Sequence, residues 1–173
     1  MCWADRLRWP ADRCAALTHR ESRRFLMDEG LPKRSLLFTS VEPTSKVAAW
    51  VQGPQRYVVL GNYTDDECFV LDMDAGTVHF GTEAGDPVWP VNSGLRKFVR
   101  CLEAAEGEFP FYGAGAGAEE YTRVSTRLEA LVRHIDPTCF AAEGSFWASL
   151  LHDVSIGDFS TEDVDWWPCA DGK

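Results

Sequence analysis

The sequence predicts a single α+β domain in which an antiparallel meander sheet packs against flanking helices. A capped helical segment stands near the start, short β-prone runs occupy the middle, and amphipathic helical segments fill the last third. Strands grouped together and helices grouped beside them, without regular alternation, are typical of this class. The chain has 173 residues, of which 45% are apolar, and this is sufficient for one ordinary core.

The first helix is predicted to run from Thr18 to about Glu29. Thr18 and Glu21 form a T-x-x-E capping box, in which each side chain can bind the other's backbone N–H. Gly30 then supplies a left-handed turn, and Pro32 prevents continuation of the helix. Residues 1–14 are predicted to form an N-terminal extension before the domain at 15–160.

Four apolar, β-prone runs follow, separated by turn residues: 36–38, 57–60, 68–71 and 77–80. Residues 72–76 are short enough to close a hairpin between the last two runs. Asp65, Asp66 and Glu67 lie in the connection just before the third run. A meander of these strands therefore places acidic turns at the edge of the sheet.

Three helical segments are predicted after the strands. The first has apolar residues at i, i+3, i+4 and i+7 from Leu95, with Asn92 or Ser93 as its cap. The second follows the glycine-rich stretch 113–117 and ends at Asp136. Its apolar face comprises Tyr121, Val124, Leu128, Leu131, Val132 and Ile135. A short third helix begins near Ser145 and ends before residue 157.

The net charge of −10 and the pI of about 4.8 disfavour nucleic acid and anionic membrane surfaces as partners. Residues 1–34 hold eight Lys/Arg and five Asp/Glu, a balance of +3, so residues 35–173 carry −13. The composition therefore predicts a basic protein partner. The chain has no apolar run of about 20 residues and no secretory signal at its start, so we expect a cytoplasmic protein.

Cysteine and histidine spacing predicts no metal site and no other cofactor. The six cysteines are dispersed without a C-x-x-C pair, and free buried thiols are expected. The four histidines never fall three to five residues apart, so no local zinc motif is present.

Each motif that resembles a catalytic or ligand site has a simpler structural interpretation. The stretch 113–117 lacks the lysine of a P-loop and is predicted to be a connector. Asp72-x-Asp74-x-Gly76 resembles the opening of a calcium loop, but a hairpin turn explains it. His79 is expected to face away from its strand neighbours, and His152-Asp153 has no nearby nucleophile in sequence. The chain is therefore not expected to be an enzyme.

The order of features resembles a known family. A capped helix ends in F-L-M-D-E-G-L-P at 25–32, a meander contains V-L-D at 70–72 and G-T-V at 76–78, and V-N-S at 91–93 opens a helix. With the closing segment 146–157, this set resembles the SUKH superfamily, specifically the SUKH-4 immunity proteins, over residues 15–160. The resemblance implies a non-catalytic bacterial domain that binds and neutralises a toxin domain, often a nuclease or a nucleic-acid deaminase.

An alternative function is a regulatory or scaffold domain of the Smi1/Knr4 kind, which would bind a cellular protein through a similar surface. A third class, an unrecognised hydrolase, predicts turnover by the isolated chain. In the first two cases, the candidate contacts are acidic and aromatic residues, with the tail 161–173 either packed on the domain or bound to the partner. They are Asp65, Asp66, Glu67, Asp86, Glu162, Asp163, Asp165, Trp166 and Trp167.

Overall fold

The computed structural model describes residues 5–42, 49–82, 88–113, 115–142 and 144–159. The α-helices in these ranges are α1 (Arg20–Asp28), α2 (Leu95–Glu108), α3 (Ala118–Ile135) and α4 (Phe146–Ile156), and short 3-10 helices cover Arg13–Ala16 and Pro137–Phe140. The strands are β1 (Arg6–Leu7), β2 (Leu31–Pro32), β3 (Arg34–Ser35), β4 (Phe38–Ser40), β5 (Ala49–Gln52), β6 (Gln55–Asn62), β7 (Glu67–Asp72), β8 (Val78–Thr82) and β9 (Trp89–Asn92).

The main sheet has the strand order β3-β4-β6-β7-β8-β9, and every pairing in it is antiparallel. β5 pairs with the opposite end of β6 from β4, and β1 and β2 form a separate two-stranded ladder. Strands β6 to β9 follow one another in space as they do in sequence. The predicted α+β class, with a meander packed against helices, is confirmed.

The sheet separates two apolar clusters because successive side chains of a strand point to opposite faces. On one face, Val58, Phe69 and Val78 join the main core together with the helices. On the other face, Tyr57 and Val70 belong to a smaller buried cluster. Both sides of the sheet are therefore apolar, and the described helices contribute to the main core on one side and not to the smaller cluster.

Residues 5–14, the described part of the predicted N-terminal extension, pack against the domain. β1 pairs with β2, and the backbone N–H of Trp9 donates to Leu26 O at 3.0 Å. Trp9 and Cys14 are buried in the main core. This segment is therefore held both by backbone pairing and by apolar contacts.

The predicted capping box at Thr18 and Glu21 is wrong. His19 is the N-cap of α1, and its Nδ1 accepts a hydrogen bond from Ser22 N at 3.3 Å. The Thr18 hydroxyl instead contacts the hairpin between β7 and β8, where it lies 3.1 Å from Met73 O and also binds the Asp74 carboxylate. Tertiary contact with the hairpin has replaced the local cap, which sequence spacing could not show.

Two other boundaries differ from the prediction. Leu36 and Leu37 form the turn between β3 and β4 and are buried, whereas only Phe38 of that run lies in a strand. Gly94 is the N-cap of α2. Asn92 is still part of β9, and its side chain lies in the interior rather than capping the helix.

The remaining predicted elements are confirmed. Gly30 has φ +75° after α1, and α3 ends at the Asp136-Pro137 step. Ser145 caps α4 through a hydrogen bond from Ala148 N at 3.2 Å, and Gly157 ends it with φ +93°. Capping and helix-stop residues therefore predicted these boundaries correctly.

The hairpin at 72–76 joins β7 to β8 as predicted, and Gly76 has φ +76° there. A Cβ at this position would come within 2.1 Å of His19 Nδ1, the atom that caps α1. The glycine is therefore required both by its backbone conformation and by the close approach of the helix cap.

Substitution of Gly76 should destabilise the protein through both effects. We expect Gly76→Ala to lower the free energy of unfolding by about 2–4 kcal/mol, because alanine is strained at positive φ and displaces His19. Gly107→Ala is the matched control, since a Cβ there meets nothing within 4 Å, and it should change stability by less than about 1 kcal/mol. Urea denaturation measures both; equal stabilities of the two variants would contradict the assignment.

Candidate functional site

A groove of about 530 Å³ opens between one end of the sheet and α4. Its residues come from the β6–β7 connection and the start of β7, from β8 and β9, and from α4 with the turn before it. They are Tyr63, Glu67, Phe80, Trp89, Gly144, Phe146, Ser149, Leu150 and Asp153. Aromatic side chains and two carboxylates thus share one concave surface.

Strand register and helix periodicity bring these residues together. Phe80 lies opposite Trp89 in the β8–β9 ladder, so both can reach the same face. In α4, Phe146, Leu150 and Asp153 are at i, i+4 and i+7, which is one face of a helix. The apolar row of α4 therefore ends in a carboxylate where the helix reaches the groove.

The wall of the groove is a packed aromatic cluster. The Tyr63 ring lies 5.3 Å from Phe146 and 5.9 Å from Phe80, centroid to centroid, and Phe80 lies 5.1 Å from Phe146. These separations are typical of stabilising aromatic pairs. Trp89 is different, because 41% of its surface is exposed. The cluster therefore gives a rigid wall with one accessible indole.

The two carboxylates of the groove are not neutralised within the described part of the chain. Glu67 accepts a hydrogen bond from the Thr64 hydroxyl at 3.1 Å, and no Lys or Arg among the described residues forms an ion pair with Glu67 or Asp153. Burial, together with the negative charges of Asp153 and Glu67, raises the pKa of Tyr63 to about 12. The phenol is therefore neutral at pH 7, and the groove is anionic.

A second cleft, of about 370 Å³, lies between α1 and α2 and includes three basic residues of α2. Arg96 in this cleft binds Glu29, and Lys97 Nζ lies 3.4 Å from an Asp136 oxygen. Two of the three basic residues are thus partnered inside the protein. The anionic groove is the stronger binding candidate, because its charges and Trp89 remain available.

A buried polar network fixes the elements that form the groove. The Asp136 carboxylate has no exposed surface and accepts hydrogen bonds from Ser93 N at 2.7 Å, Thr138 Oγ1 at 2.8 Å and Asn92 Nδ2 at 3.1 Å. Asn92 Oδ1 in turn accepts from Trp147 Nε1 of α4 at 3.1 Å. The network thereby ties β9 and α4, the two sides of the groove, to the end of α3.

A protein-family model, that of the SUKH-4 immunity proteins, matches residues 4–153 of the chain. The chain belongs to the SUKH-4 family. The match includes every residue that lines the groove and all of the polar network. No curated protein and no solved structure matches the chain significantly.

The predicted contact residues of this SUKH-4 protein fall into two groups. Glu67 lies in the groove, while Asp65 and Asp66 are exposed beside it in the connection between β6 and β7. The other six lie outside the described residues: Asp86, Glu162, Asp163, Asp165, Trp166 and Trp167.

Sequence reasoning missed most of the groove, including Tyr63, Trp89 and Asp153. Asp153 had one usable signal, because it continues the i, i+4, i+7 row of Phe146 and Leu150 but is charged. The sequence gives no such signal for Tyr63 and Trp89, because parts of the sheet that are far apart in sequence bring them together.

The calcium-like motif is a hairpin turn, as predicted. Asp72 is buried and accepts hydrogen bonds from the backbone N–H of Asp74 and Ala75, at 2.9 and 2.8 Å. Arg56 and Thr18 bind the Asp74 carboxylate, and these contacts lower its pKa. These oxygens are therefore occupied by groups of the protein itself.

The stretch 113–117 connects α2 to α3 as predicted, and Gly117 is the N-cap of α3. His79 faces the opposite side from Val78, as expected, and packs against Tyr57. Its Nε2 lies 2.8 Å from the Thr77 hydroxyl, and burial lowers the pKa of the ring.

The described cysteines are free and buried: Cys14, Cys68, Cys101 and Cys139. Within the described ranges, no three His, Cys, Asp or Glu side chains are arranged to hold a metal ion. None of the helices in those ranges has the length and apolar character needed to cross a bilayer.

The Asp136 network should make stability depend on acidity. Burial alone would raise the pKa of Asp136, but the hydrogen bonds from Ser93, Thr138 and Asn92 outweigh it and lower the pKa to about 2. The ionised carboxylate therefore stabilises the fold above about pH 4, and this contribution of about 2.5 kcal/mol is lost as the pH falls towards 2.

We expect Asp136→Asn to lower the free energy of unfolding at pH 7 by about 2–4 kcal/mol, because its amide cannot accept all the donors that remain. The variant should also lose that part of the acid dependence between pH 5 and 2.5. Urea titrations across this range measure both effects. Asp12 is an exposed acid, and Asp12→Asn is the control. Its free energy of unfolding should depend on pH as that of the wild type does. The same pH dependence in Asp136→Asn would contradict the assignment.

Proposed function

We propose that this SUKH-4 protein neutralises a basic toxin domain by binding it at the anionic aromatic groove and at the β6–β7 connection beside it. The observation that carries the proposal is the combination of two unneutralised carboxylates with one exposed tryptophan in a single concave surface. Membership of an immunity protein family implies a cognate toxin partner.

The negative charge on this side of the molecule extends beyond the groove. Asp65 and Asp66 are exposed and lie between Tyr63 and Glu67, two residues that line the groove. Elsewhere, many carboxylates of the domain are paired with Arg or Lys, as Asp74 is with Arg56. Asp65, Asp66 and Glu67 thus form a local group of carboxylates without ion pairs in the described part of the chain, which favours rapid association with a basic surface.

A nuclease or a nucleic-acid deaminase is the toxin class that suits this surface best. Enzymes that act on nucleic acid need a cationic substrate cleft, because they must bind phosphates. Carboxylates placed in such a cleft can occupy the positions of phosphates, and an aromatic anchor can supply desolvated contact energy. Inhibition would then be stoichiometric, by exclusion of the substrate.

The same surface would serve a regulatory or scaffold domain of the Smi1/Knr4 kind. The two functions differ in their partner, which is toxic for an immunity protein and a cellular component for a regulator. Both act by binding, without turnover. A partner's own toxicity is therefore the property that separates them.

The decisive experiment expresses the partner domain in a bacterial host with and without this protein. Affinity capture from the native cell first identifies the partner. We expect its expression alone to stop growth, and co-expression of this protein to restore growth. A partner that is harmless when expressed alone would reject immunity and favour the regulatory function.

Charge reversal tests the surface in the same assay. The triple variant Asp65→Lys, Asp66→Lys and Glu67→Lys should fail to restore growth, and its association rate with the toxin should fall by about tenfold or more at low salt.

The matched control reverses three acids that do not line the groove: Asp12→Lys, Glu42→Lys and Glu119→Lys. It should rescue growth as the wild type does and should keep most of the association rate. If the two triple variants behave alike, net charge rather than this surface governs binding.

The tail and Asp86 complete the proposed contact set on the basis of sequence. We propose that Trp166 and Trp167 anchor the partner, with Glu162, Asp163 and Asp165 beside them in sequence. Asp86 belongs to the segment that joins β8 to β9, and Phe80 and Trp89 of these strands line the groove.

Replacement of both tail tryptophans by alanine should weaken toxin binding by about tenfold or more and leave the free energy of unfolding unchanged. Calorimetric titration with the toxin and urea denaturation provide the two measurements. The opposite pattern, a loss of stability with unchanged affinity, would assign the tryptophans to the domain itself.

A further inference from the structure

We infer that the groove between the sheet and α4 is a pocket for an arginine side chain of the partner. The inference rests on the proposed function and adds the chemistry of the residue that the groove receives. Three properties of the groove favour an arginine: its charges, its aromatic wall and its size.

The groove contains two carboxylates, those of Glu67 and Asp153. Glu67 is the first residue of β7 and Asp153 lies on α4, so one carboxylate comes from the sheet and the other from the helix. Tyr63 lines the same groove, and the negative charges of both carboxylates act on its hydroxyl. A guanidinium has five N–H donors in one plane and can serve more than one carboxylate at once.

The apolar part of the groove suits the remainder of an arginine side chain. Phe80, Phe146 and Leu150 give it an apolar lining, and the exposed indole of Trp89 lies at its surface. Arginine buries its methylene stem along apolar surface, and its weakly hydrated head stacks on aromatic rings. A lysine ammonium is more strongly hydrated and stacks less favourably on aromatic rings.

The volume and the local backbone are also suitable. About 530 Å³ can hold a long side chain with part of its backbone but not a folded element. Gly144 borders the groove with φ +72°, and a Cβ there would lie 3.8 Å from the Trp89 ring. The absence of a side chain at this position keeps that approach to the indole open.

A titration with N-acetyl-arginine amide tests the pocket without the toxin. The readout is the indole N–H signal of Trp89 in a ¹H–¹⁵N correlation spectrum, assigned with Trp89→Phe. We expect saturable shifts with a Kd on the order of 1–10 mM. N-acetyl-glutamine amide should give no saturable shift; binding of N-acetyl-lysine amide that equals or exceeds that of the arginine amide would overturn the choice of arginine.

Neutralising the two carboxylates should remove this binding. We expect the double variant Glu67→Gln, Asp153→Asn to raise the Kd of N-acetyl-arginine amide by at least about tenfold, because charge-assisted hydrogen bonds are lost. The control, Asp12→Asn with Glu42→Gln, makes the same change in net charge and in residue type outside the groove. Equal loss of binding in both double variants would overturn the pocket.

An arginine supplied by the protein itself gives a second, independent test with the toxin. Ser149 is exposed on α4 and lines the groove, so Ser149→Arg should occupy the pocket and raise the toxin Kd by about thirtyfold or more. Ala148→Arg is the matched control, because Ala148 is exposed on the same helix but does not line the groove. It should change the Kd by less than about threefold.

These experiments distinguish failure of the arginine pocket from failure of the immunity function. If the protein rescues growth but both pocket variants bind the toxin as the wild type does, the arginine pocket is wrong and immunity stands. If the arginine amide binds as expected but no toxin is neutralised, immunity is wrong and the pocket stands.

Discussion

The buried Asp136 carboxylate is the interaction on which the arrangement of the domain depends. It lies where α3 ends, and its hydrogen bonds reach Ser93 and Asn92 at the junction between β9 and α2. Asn92 carries the connection on to Trp147 of α4. An ionised group without exposed surface is stable only when hydrogen bonds satisfy it, so these elements must meet in one geometry. The position of α4 over the sheet follows from that requirement.

The groove is a consequence of this geometry. α4 packs its apolar row on the core and presents Asp153 where the row ends, while the β6–β7 connection brings Glu67 to the other side. Because the aromatic cluster beneath is closely packed, the two carboxylates stand on a rigid surface. Such a surface loses little conformational entropy when a partner binds, which is the property that an inhibitor acting by occupancy needs.

The distribution of ion pairs determines which part of this acidic protein presents unpaired negative charge. Several basic residues are neutralised within the domain, as Arg6 is by Glu103 and Arg96 by Glu29. Exposed pairs of this kind contribute little to stability, but they remove charge from the field that a partner meets. The carboxylates around the groove have no such ion pair among the described residues, so their negative charge remains. In the proposed function, charge would therefore direct association to this surface, and the aromatic wall would supply most of the affinity.

Local sequence determined the parts of this protein whose physics is local. It predicted the α+β class, the β7–β8 hairpin, the stop at Gly30, the Ser145 cap and the acidic β6–β7 connection, because turn and cap chemistry involves residues close in the chain. It assigned Thr18 and Asn92 wrongly as caps, because each is bound by residues more than forty positions away. The groove likewise joins Tyr63 to Phe146, and only the tertiary structure brings such distant residues together and leaves Glu67 and Asp153 facing one cavity.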